Sequence, residues 1–361
     1  MGDGSGLTNL NAALFSLNSG SNFTNGNTAV GPGAMRDNQN GYFNTAIGDR
    51  ALEESTVDLN TAVGSHASGY NVTGQYNTTL GIAAARDATN INGVVALGYH
   101  AMISQTNSGT LADGTFSKNT AVGYYAMAGD ESMINTGIRN TAFGSNSLQY
   151  LSTGNENIAL GSDSGANIKT ESYNTLVGAS TNILSDSNIS NATAIGYGAT
   201  VSSSNTMAFG GTTVNKWAFG LATTDAGKVI QVGSDSSTGN GAYLSDGGTW
   251  TNASSILLKT NFIELEDSWI LDKIQSLDIF KWDYKNTSET HIGPTSEQFI
   301  EAFDVGLQSD KTHLSTIDVS GVALKGVQVL IDKIESQENQ INSLKSEIEL
   351  LKELIAEIKS N

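Results

Sequence analysis

The chain has 361 residues and a formal net charge of −18, from 36 acidic and 18 basic side chains. This length accommodates two or three domains. The excess of acid argues against binding to nucleic acid, which requires a basic surface. With no cysteine, 40 glycines and two prolines, the composition excludes disulfides, a cysteine-based metal site and a collagen or polyproline rod. No run of about 18 apolar residues is present, so no membrane-spanning helix is predicted.

A short phrase, Asn-Thr-Ala-Val/Ile-Gly, recurs through the first two thirds of the chain. Most steps between its glycines are 16 to 18 residues, and the steps to Gly123 and Gly144 are 25 and 21, which indicates insertions in loops. A period this short, built from poor helix formers, predicts two short strands and two turns per repeat, which is one coil of a β-solenoid. The glycines are Gly31, Gly48, Gly64, Gly81, Gly98, Gly123, Gly144, Gly161, Gly178, Gly196 and Gly210.

We predict a packing role for each of three positions in the repeated phrase. The residue before each glycine is large and apolar, and we expect stacked coils to superpose these side chains in one dry column. The alanine two before each glycine lies on the opposite face, where its small size lets another surface approach, so we expect an oligomer. The asparagine four before each glycine predicts a ladder of side-chain amides. The apolar column comprises Val30, Ile47, Val63, Leu80, Leu97, Val122, Phe143, Leu160, Val177, Ile195 and Phe209.

The repeat, over roughly residues 10 to 220, resembles the head domain of trimeric autotransporter adhesins, and the same tandem phrase is similar to that of many phage and bacterial fibre proteins. This resemblance implies a trimeric, left-handed parallel β-roll or β-solenoid with a binding or spacer role. We assign residues 1–220 to this repeat domain. Residues 221–253 break the phrase and are interpreted as a transition, a small β-element wound between three chains.

The C-terminal residues follow a heptad pattern that predicts a parallel coiled coil over about 320–360. Isoleucine at a with leucine at d favours two strands, but Gln337 and Ile358 interrupt that pattern and the upstream fold favours three. A lone amphipathic helix packed on its own domain is the alternative. Position a holds Val327, Ile334, Ile341, Ile348 and Ile355, and position d holds Leu330, Gln337, Leu344, Leu351 and Ile358.

The residues between the transition segment and the predicted coiled coil predict one helix and one strand. The spacing of Ile270, Ile274 and Leu277 indicates a helix, and "IFKWDY" at 279–284 alternates like a strand. The domain assigned to residues 254–361 is therefore a small α+β unit that ends in the coil.

Four phrases in order resemble the intramolecular chaperone peptidase of endosialidases and other tail spikes: "NASSILLKTNF", "FKWDY", "HIGPTSEQF" and "IDVSGVALKGVQVLIDKI". The resemblance implies a module that trimerises, holds three chains in register, and then cuts itself off between Ala253 and Ser254. It implies Ser254 as the nucleophile and Lys259 as the base. It also gives His291 and Gln298 supporting positions.

The chemistry of this pair is reasonable on its own terms. A serine hydroxyl needs a nearby base, and a lysine serves only if burial lowers its pKa. Apolar neighbours such as Leu258 and Phe262 predict a buried Lys259. Ser255 stands where the family has aspartate, so Ser255 is an alternative nucleophile. Without the downstream phrases, the stretch reads as the start of a helix with serine as its N-cap.

We therefore predict a mainly β, then α protein that forms a trimeric fibre or tail tip for surface attachment or receptor binding, with a single-turnover serine auto-endopeptidase. Its partners are its own copies and a host or cell-surface receptor such as a glycan. It belongs in a virion tail fibre or another extracellular fibre, and the chaperone domain is released after assembly. No metal or cofactor is expected, because the four histidines show no metal-ligand spacing.

Two other functions stay open. One is a tail spike that depolymerises a glycan, which needs a pair of carboxylates in an inter-chain groove. The candidate clusters are Asp49 with Glu53 and Glu54, and Asp130 with Glu131, although acids on a repeat surface are more often solvated loop charges. The other is an adhesin whose uncleaved coiled coil is a permanent stalk.

Overall fold

The structure is a computed structural model and describes residues 25–38, 40–106, 117–129, 135–184, 188–234, 241–306 and 309–360. The described residues of Met1–Val232 and Tyr243–Trp250 form one compact unit, and those of Gly233–Ala242 and Thr251–Asn361 form a second. Much of the two predicted insertions, at 107–116 and 130–134, lies outside the described residues.

The first unit is a parallel β-solenoid in which each coil adds one three-residue strand to an eleven-stranded sheet. Equivalent positions of the phrase pair with each other, as Ala46 does with Ala62 and Ile47 with Val63. The strands are β1 (Thr28–Val30), β2 (Thr45–Ile47), β3 (Thr61–Val63), β4 (Thr78–Leu80), β5 (Val95–Leu97), β6 (Thr120–Val122), β7 (Thr141–Phe143), β8 (Ile158–Leu160), β9 (Thr175–Val177), β11 (Thr193–Ile195) and β13 (Met207–Phe209). Strands β10 (Asn182–Ile183) and β12 (Thr200–Val201) form a second, two-stranded parallel sheet. The predicted solenoid is confirmed, while its left-handed sense and the trimer stay predictions.

The two faces of each strand are the reverse of our expectation from sequence. The alanines two before the glycines, such as Ala46 and Ala142, are fully buried inside the coil. The apolar column faces outward, and Phe143 is 57% exposed. The reason is the narrow coil: large side chains from the turns, among them Met102 and Leu148, already fill the interior. Only a methyl group fits beside them on most strands, so the larger residue must point out.

The glycine that ends each strand is required by the stacking of coils. Gly144 has φ of 140°, a conformation that L-residues rarely adopt. A Cβ atom there would lie 2.4 Å from the carbonyl oxygen of Gly161 in the next coil. The recurring glycine therefore serves close approach of one coil to the next as well as the turn itself.

The predicted asparagine ladder is confirmed. The Asn140 side-chain oxygen accepts hydrogen bonds from the backbone N–H and the side-chain amide of Asn157, at 2.8 and 3.1 Å. Asn157 in turn accepts from the backbone N–H of Asn174 at 3.0 Å. All three asparagines are fully buried. Since a buried polar group without a partner is costly, each amide stabilises its own coil only while the neighbouring coil is in register.

Short strands occupy the segment that we interpreted as a transition. They are β14 (Trp217–Phe219), β15 (Lys228–Val232), β16 (Ala242–Ser245) and β17 (Trp250–Thr251), in that order across one four-stranded sheet. Strands β14 and β15 pair in parallel. The predicted β-element is present in a single chain, and its winding between three chains stays a prediction.

The second unit combines short helices with one hairpin and ends in a long helix. A one-turn 3₁₀-helix (Ile256–Leu258) precedes α1 (Asp267–Gln275), the antiparallel strands β18 (Phe280–Asp283) and β19 (Thr290–Gly293), α2 (Ser296–Phe303) and α3 (Thr316–Ser360). This order confirms the predicted helix and the predicted strand, although α1 ends two residues before Leu277.

A small core holds α1, α2 and the start of α3 together. Ile270, Phe299, Phe303 and Val329 are buried against one another. An ion pair of 2.8 Å joins Lys325 Nζ to an oxygen of Asp267, linking α3 to α1. The hydrogen bond to that carboxylate raises the pKa of Lys325.

Beyond this core, α3 is exposed along its length. Residues 331–359 are all exposed, including heptad positions such as Ile341 and Leu344. The alternative of a lone helix packed on its own domain is therefore wrong for this stretch. The coiled coil itself stays a prediction. Within the described ranges, no helix combines the length and the apolar character needed to cross a bilayer.

Candidate active site

The candidate site lies at the start of the second unit, on one turn of 3₁₀-helix. Ser255 is its N-cap: the backbone there is extended, and the side-chain oxygen accepts a hydrogen bond from the N–H of Leu257 at 3.2 Å. Lys259 is its C-cap, and its N–H donates to the carbonyl of Ile256 at 3.3 Å. This turn reverses the chain, so side chains on either side of it can meet.

The turn brings Ser254 and Lys259 together. The Lys259 ammonium donates a hydrogen bond of 2.7 Å to Ser254 Oγ. This distance is typical of a hydrogen bond with one charged partner. It also lies within the reach required between a nucleophile and its general base. The two residues assigned as nucleophile and base are therefore hydrogen-bonded neighbours.

The two adjacent serines have different environments. Ser254 Oγ is bonded to Lys259, whereas Ser255 Oγ caps the helix. The N-cap interpretation of this stretch is thus correct for Ser255 and leaves Ser254 bonded to Lys259. The sequence named Ser254 as the nucleophile with Ser255 as an alternative, and the hydrogen bond to Lys259 is made by Ser254. The catalytic roles stay predictions.

The pair is exposed in this chain, contrary to the burial that we expected for Lys259. The 3₁₀-helix has no buried residue, and Leu257 is 90% exposed. The apolar neighbours point into solvent, because none of the chain's described elements buries them. A lysine acts as a general base only where its surroundings exclude water. Catalysis by this pair would therefore require a cover that the described residues of one chain do not supply.

His291 lies on β19, opposite Trp282 on β18. Its ring stacks on Trp282 with centroids 4.7 Å apart and meets Tyr284 edge-on at 5.5 Å. The Nε2 atom is buried and has no hydrogen-bond partner among the described residues. The nearest carboxylate oxygen shown for it, from Glu289, is 3.9 Å away, which is too long for a hydrogen bond.

Gln298 lies in the first turn of α2. Its backbone N–H donates to the capping oxygen of Thr295 at 3.3 Å, and its side-chain amide donates to Asp278 at 3.1 Å. Its side-chain oxygen is buried and unpaired among the described residues. Within that part of the chain, no hydrogen bond or ion pair joins His291 or Gln298 to the Ser254–Lys259 pair, so their supporting roles stay predictions.

Sequence reasoning missed two features of this unit. Asp278, the acidic partner of Gln298, precedes β18 by two residues, and nothing in its spacing distinguished it. A cavity of about 670 Å³ also lies beside the hairpin. Apolar side chains that line it include Trp282, Pro294 and Leu314. Across the described ranges, no three acidic or histidine side chains are grouped as metal ligands would be.

One protein-family model matches the part of the chain that carries this geometry. Residues 254–305 match the family model of the chaperone of endosialidase. The match begins at Ser254 and takes in the candidate pair, α1, the hairpin and α2. It supports assembly of the β-repeat region by a C-terminal chaperone. No curated protein and no solved structure matches the chain.

Proposed function

We propose that this chain is one subunit of a trimeric fibre for attachment to a surface. In this proposal residues 254–361 assemble the fibre and are then released by a cut between Ala253 and Ser254. The observation that carries the proposal is the hydrogen bond between Ser254 and Lys259, at the first residue of the family match.

The position of the cut defines the chemical steps. Ser254 Oγ attacks the carbonyl carbon of Ala253, while an uncharged Lys259 takes the hydroxyl proton. Lys259 then delivers that proton to the backbone nitrogen of Ser254, which leaves as an amine, and an ester links Ala253 to the serine side chain. Water cleaves the ester, leaving a carboxylate on Ala253 and a free hydroxyl on Ser254. The pair thus acts once per chain.

Two exposed apolar surfaces support self-association. The apolar column runs along the outside of the solenoid, with residues such as Leu80, Phe143 and Phe209 more than half exposed. Heptad positions of α3, among them Ile341, form a second apolar stripe. Burying apolar surface is favourable by about 25 cal/mol per Å², and further copies of the same chain present matching stripes. Self-association also offers the cover that Lys259 lacks in one chain.

One acid of the first candidate cluster for the depolymerase alternative is already paired. Glu53 is buried and ion-paired with Arg36, so it is not a free carboxylate beside Asp49. Glu54 is partly exposed, and nothing tests whether it pairs with Asp49 in a groove. The second pair, Asp130 and Glu131, lies outside the described residues.

Intact-mass spectrometry of the freshly expressed full chain tests the proposal. We expect fragments 1–253 and 254–361 from the wild type, and an uncut chain from Ser254→Ala. Ser255→Ala is the matched control and should still be cut. Light scattering on the same samples should give the mass of three chains. Cutting of Ser254→Ala, or an uncut wild type, would contradict the cleavage; a monomer would contradict the trimer.

A further inference from the structure

Two neighbouring coils of the solenoid carry a cluster of four aromatic rings that the assembly role does not use. Tyr99 stacks on His100 with centroids 4.0 Å apart and planes 6° apart. Tyr99 also stacks on Tyr124 of the next coil at 5.4 Å. Tyr124 meets Tyr125 edge-on at 4.6 Å. The cluster therefore joins both coils on the outside of the solenoid.

The cluster departs from the repeat. Its residues are the first and second after Gly98 and after Gly123, and only these two of the eleven repeats have rings at both positions. Most other repeats carry small or polar residues there, such as "SN" at 145–146 and "SD" at 162–163, with His66, Ile82 and Tyr197 as exceptions. Stacking of coils does not demand four rings, so they require another explanation.

The backbone of the cluster is tied to the preceding coil, and the rings remain accessible. The backbone N–H of His100 donates to the carbonyl of Ile82 at 3.1 Å, and that of Tyr125 donates to the carbonyl of Tyr99 at 3.0 Å. These bonds place the backbone of one residue in each ring pair. Tyr124 nevertheless is 55% exposed, so much of its surface is free to contact a ligand.

A cavity of about 460 Å³ adjoins this cluster. Its volume lies within the range of about 300–1,000 Å³ found for small-molecule sites. His100 and Tyr125 line one part, and Arg86 and Asp87 line another. Ser104 also lines the cavity. Polar groups and aromatic rings therefore face the same space.

The charged residues of the cavity neutralise each other. Arg86 Nε and Nη2 donate to the two carboxylate oxygens of Asp87 at 2.8 and 2.7 Å. Burial, and then the charge of Arg86, lowers the pKa of His100. An uncharged imidazole is both a donor and an acceptor. The cavity thus offers several hydrogen-bonding groups and no net charge to attract an anion.

We propose that this cavity and its aromatic cluster bind a neutral saccharide unit of a surface glycan. A pyranose has hydroxyl groups that donate and accept, which the Arg86–Asp87 pair and His100 can satisfy. It also has an apolar C–H face, which packs on an aromatic ring. The proposal rests on the attachment function above and names the class of receptor.

Saturation-transfer NMR and calorimetry on the full chain test the site. The probes are the methyl pyranosides of glucose, galactose, mannose, fucose and N-acetylglucosamine, with N-acetylneuraminic acid as the anionic comparison. We expect at least one neutral probe to bind with a Kd on the order of 1 mM, typical of a small polar ligand. Tighter binding of an oligosaccharide of the same sugar identifies a glycan chain, rather than a free sugar, as the ligand.

Three variants locate the binding. Tyr125→Ala removes a ring, and Asp87→Asn keeps the shape of the cavity but breaks its charge balance. Each should weaken neutral-probe binding at least tenfold, on the order of 1.4 kcal/mol. Tyr173→Ala removes an exposed tyrosine of another coil and should leave binding unchanged. Melting curves show whether each variant folds. If Tyr125→Ala does not fold, the binding measured for Asp87→Asn tests the site.

The proposal fails if no neutral probe binds, if only N-acetylneuraminic acid binds, or if the folded variants bind as the wild type does. Oligomeric mass and cleavage are read on the same samples. A cleaved trimer without saccharide binding would overturn this site alone, whereas an uncut monomer that still binds would overturn the assembly function alone.

Discussion

Lys259 Nζ lies 2.7 Å from Ser254 Oγ, across one turn of 3₁₀-helix that is capped by Ser255. A hydrogen bond can place a lysine without making it a base, and substitutions at Lys259 separate these roles. Lys259→Arg keeps the charge and the donors but cannot be deprotonated in a protein. Lys259→Met removes both.

We expect both Lys259 variants to slow self-cleavage by at least about 100-fold, the lower range for a general base. The measurement is the fraction of fragment 254–361 over time, followed by intact mass. Lys285→Arg, at an exposed turn in the same unit, is the control and should cut normally. Normal cutting by Lys259→Arg would show that Lys259 only positions the serine.

Assembly should control the cut, because the pair is exposed in one chain. Ile341→Asp places a charge at an exposed a position of α3, where a coiled coil would bury it. We expect this variant to lose trimer mass and cleavage together. Ser346→Asp, at an f position outside the seam, should keep both. Dilution of the wild type should slow cleavage, and a concentration-independent cut by Ile341→Asp monomers would contradict this dependence.

The glycine between coils should tolerate no side chain. In Gly144→Ala a strained backbone is combined with a Cβ atom 2.4 Å from Gly161 O, so we expect a loss of about 3 kcal/mol or more. Gly198→Ala is the matched control: φ is 65° and nothing lies within 4 Å of the added atom. It should cost only about 1–2 kcal/mol for the left-handed backbone. Thermal melting followed by circular dichroism compares them, and equal losses would refute the stacking role.

His100 should make the solenoid sensitive to mild acid. Its pKa is lowered in the folded chain by burial and by Arg86, although Asp87 opposes this. The unfolded chain therefore takes up the proton first, and stability falls as the pH drops through about 6.5, the ordinary histidine pKa. When the pH is lowered from 7.5 to 5.5, the Tm of the wild type should fall more than the Tm of His100→Gln. A difference that is constant with pH would contradict this.

Local patterns in the sequence determined much of this protein. The spacing of the glycines predicted one coil per repeat, and the asparagines predicted the ladder. Both features depend on exact repetition, so periodicity is sufficient to find them. The Ser254–Lys259 pair came instead from the resemblance of four phrases, in order, to a known family, because the local stretch alone predicts only a capped helix start.

The tertiary structure decided which side chains point into the coil and which point out of it. Alternation along a three-residue strand shows that its middle residue, such as Ala142, and the next, Phe143, point to opposite sides, but it does not say which side is inside. The width of the coil decides that, because side chains from the turns fill the interior. In the same way, one helical turn decided that Ser255 is a cap and Ser254 faces Lys259. The four rings after Gly98 and Gly123 become a cluster only because the parallel pairing of successive coils, such as that of Leu97 with Val122, brings equivalent positions side by side.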